Sequence, residues 1–357
     1  MPSRLLAFCA VLACASAGAQ VAAPPVAAVE LARCVEVAAS IDRLACYDKL
    51  AGRAPPPVPP PATAGVPPST TALAPALRVE PGGSGSLLSK YWELERSDKR
   101  GVFNFVGYRP NYILPVHLTS RLNAAPQSPT QARVDLTGYR KVEAKIQLSL
   151  RTKIVQSLVL PNADLWFGFT QQSLWQVWNT DASSPFRNTD YEPELIYVVP
   201  VPQALRALPG GWQWRFASLA LAHQSNGQAD PLSRSWNRVW LGAGIERGDV
   251  SLQARVLRRI QEPLADDNNP DLTDYRGRSE LQLSWTPGLA TASLHYRNSL
   301  RRLDRGSLQF EWTYPVYNDQ PNGLRWYVQA FTGYGETLTD YNFRQSSLGF
   351  GLTFLQF

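Results

Sequence analysis

Residues 223–238 read HQSNGQADPLSRSWNR, and three of them could carry acyl-transfer chemistry: His223, Ser225 and Asn237. A serine hydroxyl is a weak nucleophile until a base takes its proton. An imidazole serves as that base when a third group holds its ring in one orientation. The question is whether the chain brings the three together.

Successive strand residues point to opposite faces. Read as a strand, SLALAHQS places Leu219, Leu221, His223 and Ser225 on one face. In SWNRVWLGAGI, Asn237, Val239, Leu241, Ala243 and Ile245 share a face. A hairpin turning near Asp230 pairs 223 with 237 and 225 with 235. The side chains of His223 and Asn237 then stand opposite each other, roughly 5 Å apart at Cβ. The alternative is a polar strand end with no chemistry. Against it, polar groups on an otherwise apolar face cost free energy unless they have partners or a function. His117 and His295 have no comparable setting and read as ordinary strand or interface residues.

The flanking chain has the period of strands. Segments such as VEAKIQLSL (142–150), DLWFGFTQQSLWQV (164–177), SLQARVLRRI (251–260), SELQLSW (279–285), RWYVQAFTGYGE (325–336) and SLGFGLTF (347–354) alternate apolar and polar, with turn clusters between them. About a dozen such segments are expected, and no apolar run is long enough for a transmembrane helix. A soluble β-sandwich would turn the apolar face inward, and an outer-membrane barrel would turn it outward. Polar groups mid-strand (Glu143, Lys145, Gln147), aromatics near segment ends and the terminal Phe357 favour the barrel. The 11 Trp, 14 Tyr and 13 Phe supply interfacial girdles. The net charge of +6 is thinly spread without a basic run, which leaves no footprint for nucleic acid.

Upstream, MPSRLLAFCAVLACASAGAQ reads as a signal peptide, residues 1–19, cleaved after Ala17-Gly18-Ala19. The rival reading is a lipoprotein signal acylated at Cys14. Residues 20–53 read as a small helical segment, with Leu31, Val35, Ala38, Ile41 and Leu44 at helical spacing. Export leaves Cys34 and Cys46 as an even pair, which favours a disulfide over two free thiols. Residues 54–84 are a Pro/Ala-rich linker that cannot bury a core. The barrel is expected over 85–357.

The hairpin motif, with SSPFRNTDYEPELIY (183–197) and TGYGETLTDYNF (332–343), resembles the outer membrane phospholipase A family of Gram-negative bacteria. The likeness covers roughly residues 88–357, and residues 20–87 have no counterpart in it. It implies an all-β, 12-stranded antiparallel transmembrane barrel in the outer membrane that hydrolyses phospholipid acyl esters with Ca²⁺ and is activated as a reversible homodimer. Carried over by position, Ser225 is the nucleophile, His223 the base and Asn237 the orienting group, with the Gly227 amide as oxyanion donor. Calcium falls to Ser233 Oγ, the Gln228 carbonyl and, from the other subunit, the Ser183 carbonyl. Gln228 replaces a frequent arginine. ADDNNPD has an extra asparagine, which leaves Asp267 as the candidate for a second calcium position. Gln171 falls where the family has a polar dimer contact, although strand parity alone also allows a lumen-facing glutamine. Two other readings remain: a barrel esterase like the lipid A deacylases, whose third member is a carboxylate, and a non-enzymatic porin or scaffold barrel.

Overall fold

The computed structural model describes residues 34–37, 40–52 and 85–354. The expected leader with Cys14, the linker at 54–84 and Phe357 lie outside the described residues. The chain falls into two compact units, Met1–Ala72 and Leu73–Phe357.

In the first unit, helix α1 spans Ser40–Leu50, and Cys34 and Cys46 form the expected disulfide with their Cα atoms 5.6 Å apart. The anticipated apolar stripe is not uniformly buried. Cys34 is enclosed, whereas Val35 and Leu44 are exposed. Leu31 and Ala38 of that stripe lie outside the described residues.

The second unit is an antiparallel barrel. Strands β2 (Asn111–Thr119), β3 (Val142–Val155), β4 (Asp164–Trp175), β5 (Phe186–Pro200), β6 (Gln213–Ser225), β7 (Ser235–Arg247) and β8 (Val250–Ile260) each pair with the next. The ring continues through β9 (Ser279–Trp285), β10 (Thr291–Asn298), β11 (Gly306–Pro315), β12 (Arg325–Tyr334) and β13 (Arg344–Phe354). It closes where β13 pairs with β2, giving 12 strands in the ring. A short extra strand, β1 (Phe105–Gly107), uses the same edge of β3 as β2, but further along, at Leu150–Thr152. Pro110, which has no N–H, sits in the break between them.

The alternation has the sense expected of a membrane barrel. Glu143 and Lys145 point inward and are fully buried, while Leu148 on the same strand is exposed. Leu219, Leu221, Leu241, Phe167 and Phe350 likewise stand outside. Inside, charges are paired: Lys145 Nζ donates to Glu336 at 2.9 Å, and Arg109 reaches Glu192 and Glu194 at 2.8 and 2.7 Å. Such pairs offset a desolvation cost that unpaired charges would incur in full.

Each end of the barrel is filled differently. At one end, helix α2 (Leu87–Trp92) inserts Trp92 against Trp166, Tyr108 and Phe216. Ser86 caps that helix by accepting from the Ser89 N–H at 2.8 Å. At the other end, helix α3 (Leu272–Tyr275) contributes Leu272 to a cluster with Trp236, Leu338 and Tyr341. The longest connections, 120–141 and 261–278, lie at this second end, whereas β7 and β8 are joined at the first by residues 248–249 alone. Long loops mark the outer side of such barrels. The hairpin carrying His223 turns there.

Candidate active site

The β6–β7 ladder pairs His223 with Asn237 and Ser225 with Ser235, the register read from the turn position. His223 faces out and is exposed, and Asn237 and Ser225 are half-buried on the same wall. Leu219, Leu221 and Leu241 continue that face toward the middle of the barrel. His223 Nδ1 lies 2.8 Å from Asn237 Oδ1. An amide oxygen only accepts, so the ring nitrogen is the donor, which leaves Nε2 free to act as a base. On its far side, Asn237 Nδ2 donates to Glu262 Oε1 at 2.7 Å. Glu262 lies just beyond β8, whose Ile260 pairs with Asn237. Sequence reasoning did not find Glu262, because an irregular loop has no period from which to read its direction.

The loop from Asn226 to Arg234 is tied by one buried side chain. Asn226 Oδ1 accepts from the Arg234 N–H at 2.9 Å, and its Nδ2 donates to the Leu232 carbonyl at 2.8 Å and to Thr339 Oγ1 at 3.2 Å. Gly227 has φ of +62°, where a side chain would be strained. A Cβ there would also come within 3.2 Å of the Tyr191 ring. Tyr191 lies opposite Ser225 on β5. The backbone at Gly227 is therefore held beside the serine in a form only glycine adopts freely.

Ser233 Oγ accepts from Asn268 Nδ2 at 2.8 Å, which gives the extra asparagine of ADDNNPD a place in the site. Asn268 is itself held by the 120–141 loop, through Gln131 Nε2 at 3.0 Å. The hydroxyl of Ser233 and the carbonyl of the exposed Gln228 are neutral oxygen donors, which suit a hard cation such as Ca²⁺. Among the described residues there is no group of three or more His, Cys, Asp or Glu side chains placed to hold a metal. Asp267 Oδ1 is engaged by Arg259 at 2.6 Å and by the Asn269 N–H at 3.0 Å. It fits a metal ligand poorly.

Ser183 ends the turn Thr180–Ala182 in the β4–β5 connection, exposed and at the same end of the barrel. Gln171 alternates with Thr170 and Gln172, which line the interior, and so faces outward. It pairs with Tyr191, which in turn pairs with Ser225. His117 and His295 are interior: His117 Nε2 meets Glu336 Oε1 at 3.0 Å, and His295 lies 3.4 Å from Glu311. In the β12–β13 loop, burial raises the Tyr341 phenol above its ordinary range, and its hydrogen bond to Asp271 adds to that.

A family model described as phospholipase A1 matches residues 88–354. A relative from Neisseria meningitidis is 36% identical over 272 residues, covering 75% of this chain and 69% of its own. The solved outer membrane phospholipase A of Escherichia coli superposes with a TM-score of 0.60 at 31% identity, over 70% of this chain and 93% of that one. The outer membrane phospholipase of Salmonella typhi, solved as a dimer with bound calcium, gives 0.62 at 30% identity, over 75% and 97%. In sequence and in fold, the chain belongs to the phospholipase A1 family of outer-membrane β-barrels.

Proposed function

We propose that the barrel hydrolyses phospholipid acyl esters at its outer wall, with Ser225 as nucleophile, His223 as general base and Asn237 as the group that orients the ring. The observation that carries this reading is the 2.8 Å contact of His223 Nδ1 with Asn237 Oδ1 on the outward face, two residues from Ser225. Ser225 Oγ attacks the ester carbonyl as its proton passes to His223 Nε2. That proton then goes to the departing glycerol oxygen, releasing a lysophospholipid. Water, deprotonated by the same nitrogen, cleaves the acyl-serine and frees a fatty acid. The Gly227 N–H stabilises the oxyanion in both halves.

Position on the wall matches the substrate. Leu219, Leu221 and Leu241 form an apolar track along which an acyl chain lies without leaving the bilayer. Ca²⁺ would be held by Ser233 Oγ and the Gln228 carbonyl, completed by the Ser183 carbonyl of a second copy. It would supply positive charge beside the developing oxyanion. Dimerisation through the wall that carries Gln171 would then switch activity on. A channel is a weaker reading, because the interior charges pair with one another around a cavity of about 330 Å³.

The experiment is fatty acid release from mixed micelles by the purified protein, with Ca²⁺ or with chelator. Release that needs Ca²⁺ supports the reading, and equal release under chelation removes the metal from it.

A further inference from the structure

We infer that Glu262 is a fourth member of the relay, a positioning residue that fixes the Asn237 amide and supplies the charge this amide lacks. The inference rests on the reading above.

An asparagine is an ambiguous third member. Its oxygen and its NH₂ are nearly the same size, and only the oxygen can accept from His223 Nδ1–H. If the amide turned over, its NH₂ would face the ring, and Nδ1 rather than Nε2 would become the acceptor. Nε2 would then carry the ring proton and could not take one from the serine. Glu262 prevents this. Its carboxylate, once ionised, only accepts, and Oε1 stands 2.7 Å from Asn237 Nδ2. The oxygen of the amide is thereby committed to the imidazole at 2.8 Å.

The charge matters as well. When His223 takes the serine proton it becomes imidazolium, and a neutral amide does little to balance it. A carboxylate one hydrogen bond further on polarises that amide and opposes the new charge at the rim of an apolar wall, where screening by water is weak. The serine proton resides on Nε2, and Nδ1–H is never transferred.

Glu262 is available for this role. Among the described residues it has no cationic partner, and its side chain is half-buried with Asn237 as its hydrogen-bond donor. Arg258 faces the same side from β8, opposite Val239, but makes no ion pair with it. A carboxylate held at a membrane-edge wall without a cation costs free energy unless it serves a partner.

The test is a cycle of Glu262→Ala and Asn237→Ala, singly and together, with Glu262→Gln alongside. Barrel folding is checked by the heat-dependent shift on electrophoresis. Two readouts are followed at saturating Ca²⁺: kcat and KM for fatty acid release, and the rate at which a long-chain fluorophosphonate captures Ser225. Glu262→Ala should lower both kcat and the capture rate about 10- to 100-fold with KM held. Glu262→Gln, which keeps an acceptor but loses the charge, should fall between Glu262→Ala and wild type. In the Asn237→Ala background, Glu262→Ala should change neither rate further, because the two act through one contact. Full rates in folded Glu262→Ala would overturn the inference. So would an undiminished loss in the Asn237→Ala background, or a rise in the Ca²⁺ needed, which would make Glu262 a metal ligand. If Ser225→Ala keeps its turnover, the triad itself fails; if only the Glu262 variants are silent, the triad stands without a fourth member.

Discussion

Tyr191 on β5 stands directly opposite Ser225 on β6, and its ring closes the space a Cβ on Gly227 would need, at 3.2 Å. One aromatic side chain thus borders both the proposed nucleophile and the proposed oxyanion donor. With φ of +62° at Gly227, Gly227→Ala faces both strain and a collision. The expected result is a loss of about 100-fold in kcat, the usual scale for one oxyanion donor, in a barrel that still folds. Unchanged kcat would place the donor elsewhere.

The hydrogen-bonded line from His223 through Asn237 to Glu262 makes a conservative change hazardous. Asn237→Ala leaves the base in place and should cost about 10- to 100-fold in kcat, less than loss of the nucleophile. Asn237→Asp installs the usual third member of a serine triad, yet sets it against Glu262, whose oxygen accepts the present contact at 2.7 Å. Like charges at that distance repel. Asn237→Asp should therefore be less active than wild type, and adding Glu262→Gln should restore it, as measured by fatty acid release. Full activity in Asn237→Asp alone would mean that Glu262 turns away without consequence.

Ser233→Ala should raise the Ca²⁺ concentration needed for half-maximal activity and leave kcat at saturation close to wild type. The hydroxyl is held by Asn268 Nδ2 at 2.8 Å, so Asn268→Ala should shift the same titration in the same direction, but less. A calcium titration unmoved by Ser233→Ala would move the metal away from this hydroxyl.

Much of this site was legible in the sequence because the hairpin obeys a strict period of two. Fixing one turn near Asp230 fixed which residues pair, and the ladder has His223 opposite Asn237 as read. SELQLSW matches β9 residue for residue. The period failed where the backbone departs from it. In strand β2, Pro115 and the register shift between Leu114 and His117 break the alternation. Strand parity left the direction of Gln171 open, since Gln172 beside it is polar too; the interior position of Gln172 settles it. Loop residues carry no such signal. Glu262, Asn226 and the grip of Asn268 on Ser233 depend on paths through irregular chain, which only coordinates display.

Gln171 faces outward, two strands from Ser225, flanked by Leu148 and Tyr191. If the active form is a dimer through this wall, activity per molecule should rise with the protein-to-detergent ratio. A single interhelical or interstrand hydrogen bond in a membrane is worth about 1 kcal/mol, so Gln171→Ala should weaken association several-fold and leave a covalently tethered dimer active. Sedimentation in detergent alongside turnover checks both. A demonstrated monomer with full activity would remove the shared site while leaving the triad in place.

The most direct test of the central claim is Ser225→Ala in purified, heat-shift-verified barrel, assayed for fatty acid release from phospholipid micelles at saturating Ca²⁺. The substitution removes the hydroxyl and little else, because Ser225 still pairs with Ser235 and Tyr191 through its backbone. Turnover should fall at least about 1000-fold with the barrel intact. Wild-type turnover in that variant would contradict Ser225 as the nucleophile.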